Sequence, residues 1–161
     1  MSSDSFSIEK EGLSLKAVLV SWDTEIFNYP VGTIEYLKIF NFDQITFDYM
    51  AFESWRDLNQ CKLMSCRLGH DQLYESMFLE GKGFRFIETV LHPKLENLLR
   101  LNISDQGLEI IPANEADMPV LKRIAELAFR NERFHVDPRL DPRLGDLRYV
   151  RWVMNSLQHP R

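Results

Sequence analysis

No apolar run in these 161 residues approaches the roughly 20 needed to cross a bilayer. The stretch from Met1 to Lys10 also lacks the basic and apolar segments of a secretory leader. A soluble, cytoplasmic protein without a membrane partner is therefore expected. Cysteine is scarce: Cys61 and Cys66 are the whole supply, and on an extended segment a spacing of five points them to opposite faces. They should not pair, they make poor metal ligands, and buried reduced thiols are expected. His70, His92, His135 and His159 are scattered without ligand spacing, so no metal site is expected. Positive charge is not in excess either; a net charge of -5 argues against a general nucleic-acid binder. Phosphate loop, dinucleotide fingerprint, nucleophile elbow and zinc pattern are all missing.

What is present suits a globular α/β protein, with enough apolar and aromatic residues for a core and no low-complexity run. Residues 15–20 and 31–40 read as strands, separated by a loop of acids and aromatics from Ser21 to Pro30. Phe47, Met50, Ala51, Trp55 and Leu58 recur at helical spacing and predict one buried stripe. Residues 61–68 read as a strand. Asp71 is a candidate cap for a helix through Leu73, Met77 and Phe78, closed by Gly81-Lys82-Gly83. Residues 84–91 look extended again. Asp105-Gln106-Gly107 reads as a turn and a domain boundary, giving a first domain over 1–104 and a second over 108–161.

The second domain opens with a short strand at 108–111. Asn114, Glu115 and Asp117 are cap candidates, and Pro119 fits a first helical turn. Met118, Leu121, Ile124, Ala125, Ala128 and Phe129 predict the buried face of that helix. A loop from Arg133 to Gly145 follows, and Asp146 then caps a helix through Leu147, Val150, Val153, Met154 and Leu157, with Pro160 past its end. Two amphipathic helices and one short strand cannot cover one another. Roughly six large side chains would lack a sheet, a deficit on the order of 10 kcal/mol. They must pack on residues 1–104, on another chain, or on residues outside this sequence; a homodimer is one way to cover them. This part is also locally basic: 9 Lys and Arg against 5 acids over 121–161, compared with 10 against 19 before it. Arginine suits phosphate, although a solvated helix face explains the same charges.

From residue 108 onward the pattern resembles the opening of a GNAT-type N-acetyltransferase: Ile110-Ile111-Pro112-Ala113, then Glu115-Ala116-Asp117 and a helix to Phe129. Arg133-Phe134-His135-Val136-Asp137-Pro138-Arg139, followed by Tyr149-Val150-Arg151-Trp152 and Asn155, is similar to the sugar-amine branch typified by TDP-fucosamine acetyltransferase. Trp22-Asp23-Thr24-Glu25-Ile26-Phe27 with Pro30-Val31-Gly32, and Leu79 through Phe86, resemble the smaller, degenerate domain that precedes the catalytic one in that branch. The resemblance implies an α/β (α+β) fold. A degenerate mixed-sheet domain would be followed by the first strand and helices of a second GNAT domain.

The resemblance also implies acetyl-CoA as co-substrate of the intact family member and a small-molecule amine as acceptor. The family holds the CoA pyrophosphate on a glycine loop that opens a helix. The nearest match here, Phe78 through Gly83, instead follows a helix, so it reads as a C-cap. The true loop is expected beyond Arg161, so no cofactor-binding residue, no catalytic residue and no bound acetyl-CoA are expected in this chain alone. What it could supply is the acceptor side: Arg133, Phe134, His135 and Asp137 are the candidate substrate-binding residues. His135 could act on an amine, histidine being the side chain type suited to proton transfer near neutral pH. Asp137 could orient it or hold an ammonium, or simply make the turn that Asp-Pro favours. Arg133 suits a nucleotide-sugar phosphate or a surface ion pair. A non-catalytic GNAT-like binding or dimerisation module is the alternative. An unrelated α/β binding protein would be favoured if the first domain lacked a βαβ-type sheet with a splayed strand pair.

Overall fold

Leu13, Leu15 and Ala17 alternate with more polar neighbours, the pattern of a strand with one buried face. In the computed structural model, which describes residues 3–97, 107 and 109–158, they form the inner strand of a four-stranded mixed sheet. The strands are β1 (Ser5–Glu9), β2 (Leu13–Leu19), β3 (Val31–Ile39) and β4 (Leu63–Cys66), in that spatial order. β1, β2 and β3 pair antiparallel, and β4 pairs parallel to β3. That parallel pair is joined by helix α2 (Phe42–Leu58), the long crossover that parallel strands require. Pairing covers only Val31 to Ile34 of β3.

Between Lys16 and Ala17 the register with β3 shifts, and Glu35 is the extra residue. The bulge explains how Ile34 and Leu37, at odd spacing, both enter the core. Against them α2 lays Ile45, Tyr49, Phe52 and Trp55. This corrects the sequence-derived stripe. Only Trp55 is shared, while Phe47, Met50 and Leu58 are exposed. The helix carries two apolar rows, and the β2–β3 face takes the one richer in aromatic area. The β1–β2 turn meets α2 closely. Gly12 donates its N–H to Asp48 Oδ2 at 3.0 Å, and a Cβ there would lie 2.9 Å from backbone atoms of Gln44 and Ile45.

Residues 21–30 are not a plain loop. Ser21–Phe27 is a short helix, α1, that buries Ile26 and Phe27 and ends on Asn28 with φ 58°. So short a helix leaves no clear periodicity, and tertiary burial decides its conformation. Helix α3 (Leu73–Gly81) starts at Gln72 rather than at a side-chain cap from Asp71. The Gln72 amide bridges Leu37 and Gly69, donating at 2.8 Å to the Leu37 carbonyl and accepting from the Gly69 N–H. Glu75, buried, accepts the Ile39 N–H at 3.1 Å and pairs with Lys38 at 3.3 Å.

The glycines after α3 form a helix stop. The Phe84 N–H donates to the Leu79 carbonyl and the Gly83 N–H to the Glu80 carbonyl, with Gly83 at φ 92°. This is the Schellman arrangement. Gly83→Ala is expected to destabilise the protein by about 1 kcal/mol, because the left-handed conformation burdens a Cβ. Gly81→Ala, with nothing within 4 Å of the added carbon, is expected to stabilise it by a few tenths to about 1 kcal/mol. Urea denaturation of the two variants gives opposite signs if the glycines cap a helix. A shared loss would contradict that assignment.

The chain divides into two compact units, Met1–Phe86 and Ile87–Arg161. The turn expected at Asp105-Gln106 lies outside the described residues, as do Leu108, His159 and Pro160. Residues 84–91 and 109–111 join no strand ladder, contrary to the extended readings. In the second unit Asn114 makes a capping box with Asp117, leading through a 3-10 turn (Glu115–Asp117) into α4 (Met118–Ala128). Of the α4 stripe only Ala125 is buried, while Ile124 and Phe129 remain exposed. The loop expected over 133–145 instead contains a one-turn helix, α5 (Arg133–Val136), and α6 (Pro142–Gln158) has already begun at its end. Asp146 therefore sits inside α6 and does not cap it.

Candidate functional site

The four candidate residues share one turn and its exit. α5 forms because its first N–H groups, which a helix leaves without partners, are all taken. The Arg133 N–H donates to Glu88 Oε2 at 2.8 Å, and the Phe134 N–H donates to the Glu132 side chain at 3.2 Å. The apolar ring of Phe134 then turns inward and is buried, with the guanidinium carbons of Arg133 and Arg148 at 4.6 and 4.4 Å from its centroid. That is cation–π distance, so both arginines lie against a ring face.

His135 is held from both sides. Its Nδ1 meets Glu132 Oε1 at 2.5 Å and its Nε2 meets Asp146 Oδ1 at 3.0 Å, and the side chain is 6% exposed. The ring lies on α6 at Gly145, where an added Cβ would come within 2.6 Å of the imidazole. Tyr149, one turn along α6, faces the same ring with centroids 6.3 Å apart and stacks on Phe129 at 4.1 Å. Burial raises the Tyr149 hydroxyl pKa, and the nearby Glu132 charge adds to the rise. Trp152 meets Tyr149 edge-on. These rings pack on each other in the second unit.

Asp137 is buried and already engaged. Arg139 gives it three donors: Nε at 2.8 Å, Nη2 at 2.6 Å and its backbone N–H at 3.0 Å. The Arg139 guanidinium holds the Asp137 carboxyl below its ordinary pKa, against the opposing effect of burial. Asp141, Pro142 and Arg143 repeat the arrangement, with the Arg143 N–H donating to Asp141 Oδ1 at 3.0 Å and its guanidinium forking onto the same carboxylate. Proline has no N–H, so each aspartate reaches the amide two residues on.

The structure thus gathers Arg133, Phe134, His135 and Asp137 but turns Phe134, His135 and Asp137 inward. Both imidazole nitrogens and the Asp137 carboxylate are occupied by protein. Their geometry fixes the start of α6 and presents no free nitrogen to a ligand. Facing solvent beside them is an open groove of about 330 Å³ between α4 and α6, lined by Glu126, Arg130, Arg143, Asp146 and apolar side chains. A cavity of about 250 Å³ at Arg130, Pro142 and Arg143 adjoins it, with His135 and Asp146 in its wall. None of Arg130, Arg143 or Asp146 was singled out as a site residue from the sequence. The signal that could have marked Arg143 is the tandem Asp-Pro-Arg-Leu of residues 137–144. Among the described residues, no cluster of His, Cys, Asp or Glu is arranged to hold a metal, and no helix is long and apolar enough to cross a membrane.

No protein-family model matches the sequence, and no curated protein matches it. Among solved structures, the chain is similar to the apo crystal structure of an aminoglycoside antibiotic 6'-N-acetyltransferase from Acinetobacter haemolyticus. The match has 14% identity, covers 56% of this chain and 68% of that one, and has a TM-score of 0.39.

Proposed function

We propose that this chain is a portion of a GNAT-type N-acetyltransferase that works in the cytoplasm and carries the acceptor side of the enzyme. The reaction is attack of a neutral amine, on a sugar-like or other small acceptor, on the thioester of acetyl-CoA. The observation that carries the reading is the mixed sheet of the first unit, where the crossover β3–α2–β4 continues an antiparallel β1–β2–β3 run. It coincides with the residues that resemble the family's smaller domain, and the family's acceptor-side motifs follow in the same order along the chain. The TDP-fucosamine-like branch is the finer form of this proposal and rests on the Arg133 to Arg139 stretch and the Tyr149 to Asn155 helix.

Among the described residues, the glycines nearest to a coenzyme cradle do not fit one. Gly81 and Gly83 close a helix, so their N–H groups meet no helix-start field. No step through acetyl-CoA is therefore assigned to a residue of this chain. His135 serves as a positioning residue for α6, because both of its nitrogens are committed to carboxylates.

Calorimetric titration with acetyl-CoA tests the proposal, using the 161-residue chain beside a version extended past Arg161. Binding by the longer version alone is the expected result. Binding by neither removes the transferase reading in favour of a GNAT-like module without a coenzyme site. Binding within these residues overturns the assignment of the cradle to a later segment.

A further inference from the structure

We propose that two copies of this chain associate through the outer edge of β1, pairing antiparallel about Ser7 and packing their α2 helices side by side. This interface does not depend on the transferase reading. β1 lies at one side of the sheet, and no strand pairs beyond it among the described residues. The Leu19 N–H donates to the Asp4 carbonyl and the Lys10 N–H to the Leu13 carbonyl, so the even-numbered residues of this hairpin arm bond to β2. The N–H and C=O groups of Ser5, Ser7 and Glu9 therefore point outward along the edge. Sheet edges are commonly protected by proline, a bulge or a lysine within the strand. β1 carries none of these, and its start is held in place by Trp55 Nε1, which donates to the Ser3 carbonyl at 2.9 Å.

The register identifies the occupant as a second copy. Pairing about Ser7 sets Ser7 opposite Ser7, Ser5 opposite Glu9, Phe6 opposite Ile8 and Asp4 opposite Lys10 of the second copy. The odd-numbered residues then form the hydrogen-bonded pairs, as their outward groups require. Asp4 and Lys10, both exposed, meet as opposite charges at each end of the pairing. Phe6 and Ile8, half-buried under α2, extend one apolar row across the junction. A register two residues away in either direction loses both ion pairs.

The same side of the first unit carries an apolar row of α2 that the sheet does not use. Tyr49 and Glu53 face α3, through Phe78 and Lys82. Asp48 and Trp55 face the other way, toward Gly12 in the β1–β2 turn and Phe6 in β1. These contacts fix the rotation of the helix. They put Phe47, Ala51, Ser54 and Leu58, one exposed row at i, i+4, i+7 and i+11, on the β1 side. A two-fold axis through Ser7 runs the two helices antiparallel, so Phe47 meets Leu58 of the second copy at both ends. Ala51 and Ser54 leave the centre narrow enough for the helices to approach. The Ser54 hydroxyl already donates to the Met50 carbonyl, so it brings no unsatisfied donor into the contact.

A short strand and one helix row make a small interface, so a dissociation constant on the order of 10 μM is expected, and solutions at about 1 μM hold mostly monomer. Sedimentation velocity from about 1 to 200 μM is expected to show a monomer–dimer equilibrium. Ser7→Pro removes an outward N–H without touching the β1–β2 ladder, and Phe47→Glu changes an exposed position. Each should weaken association at least about tenfold, with the circular dichroism of the fold unchanged. Asp4→Lys should weaken it as well, and Lys10→Asp in the same chain should restore it, because the exchanged charges again face opposite partners. A monomer at every concentration overturns the inference. So does a dimer whose dissociation constant is unmoved by Phe47→Glu and by Asp4→Lys, since it would form through another surface.

Discussion

Phe52→Ala is expected to destabilise the first unit by about 3–5 kcal/mol, and Phe47→Ala, on the same helix, by less than about 0.5 kcal/mol. The two substitutions remove identical atoms and change helix propensity alike. They differ in surroundings: Phe52 is fully buried, in contact with Phe6, Tyr49 and Trp55, whereas Phe47 is 79% exposed. Removing a buried ring forfeits its transfer free energy and leaves a cavity, while removing an exposed ring forfeits little. Urea unfolding followed by tryptophan fluorescence reads the difference directly, since Trp55 lies in that cluster. Equal losses would mean that both faces of α2 are covered, and the assignment of its inner row would fail.

That same helix shows where the sequence is ambiguous. A row at Phe47, Met50, Ala51, Trp55 and Leu58 and a row at Ile45, Tyr49, Phe52 and Trp55 both satisfy helical spacing. Periodicity identifies the helix but cannot choose between two apolar faces; the sheet against which the helix packs makes the choice. β2, β3 and β4 were legible because alternation needs no partner to be visible, as in Leu13, Leu15 and Ala17, whereas β1 was not read from the sequence and the extended readings at 84–91 and 109–111 met no ladder. The helix stop at Gly83 was legible for a similar reason, since a left-handed residue after an apolar helical run points to glycine. α1 was not, because Ile26 and Phe27 are buried by neighbours that the local sequence does not name.

In the candidate site, chemistry was more legible than geometry. Arg133, Phe134, His135 and Asp137 stand together, as their adjacency requires, yet adjacency alone does not direct their side chains. Direction comes from partners outside the motif: Glu88 and Glu132 organise α5, and Asp146 reaches back from α6. Asp146 read as a helix cap because it follows a loop rich in proline. The helix starts earlier, at Pro142, because Asp141 accepts the Arg143 N–H. Proline at a first helical turn lacks the donor that would be left without a partner there. The groove residues Arg130, Glu126 and Asp146 come from two helices, and no linear spacing would single them out.

Gly145→Ala carries the second large effect, and its sign is the opposite of what helix propensity alone dictates. Glycine inside a helix is less favourable than alanine by about 1 kcal/mol, so the substitution should stabilise α6. Here the new methyl would lie 2.6 Å from His135 Cε1 and 2.7 Å from Nε2. The ring has little freedom to retreat, because Glu132 holds one nitrogen and Asp146 the other. Accommodation breaks at least one charge-assisted bond and leaves a carboxylate short of its donor, a loss of about 1.5–3 kcal/mol that outweighs the propensity gain. Gly145→Ala is therefore expected to destabilise the second unit, with a changed His135 ring signal by NMR. In a His135→Ala background the obstacle is gone, and the same Gly145→Ala change should become stabilising. A reversal of sign within the double-mutant cycle isolates the contact between the two positions. If Gly145→Ala stabilises the protein in both backgrounds, the imidazole does not rest on the α6 backbone, and the orientation of Asp146 toward the groove loses its support.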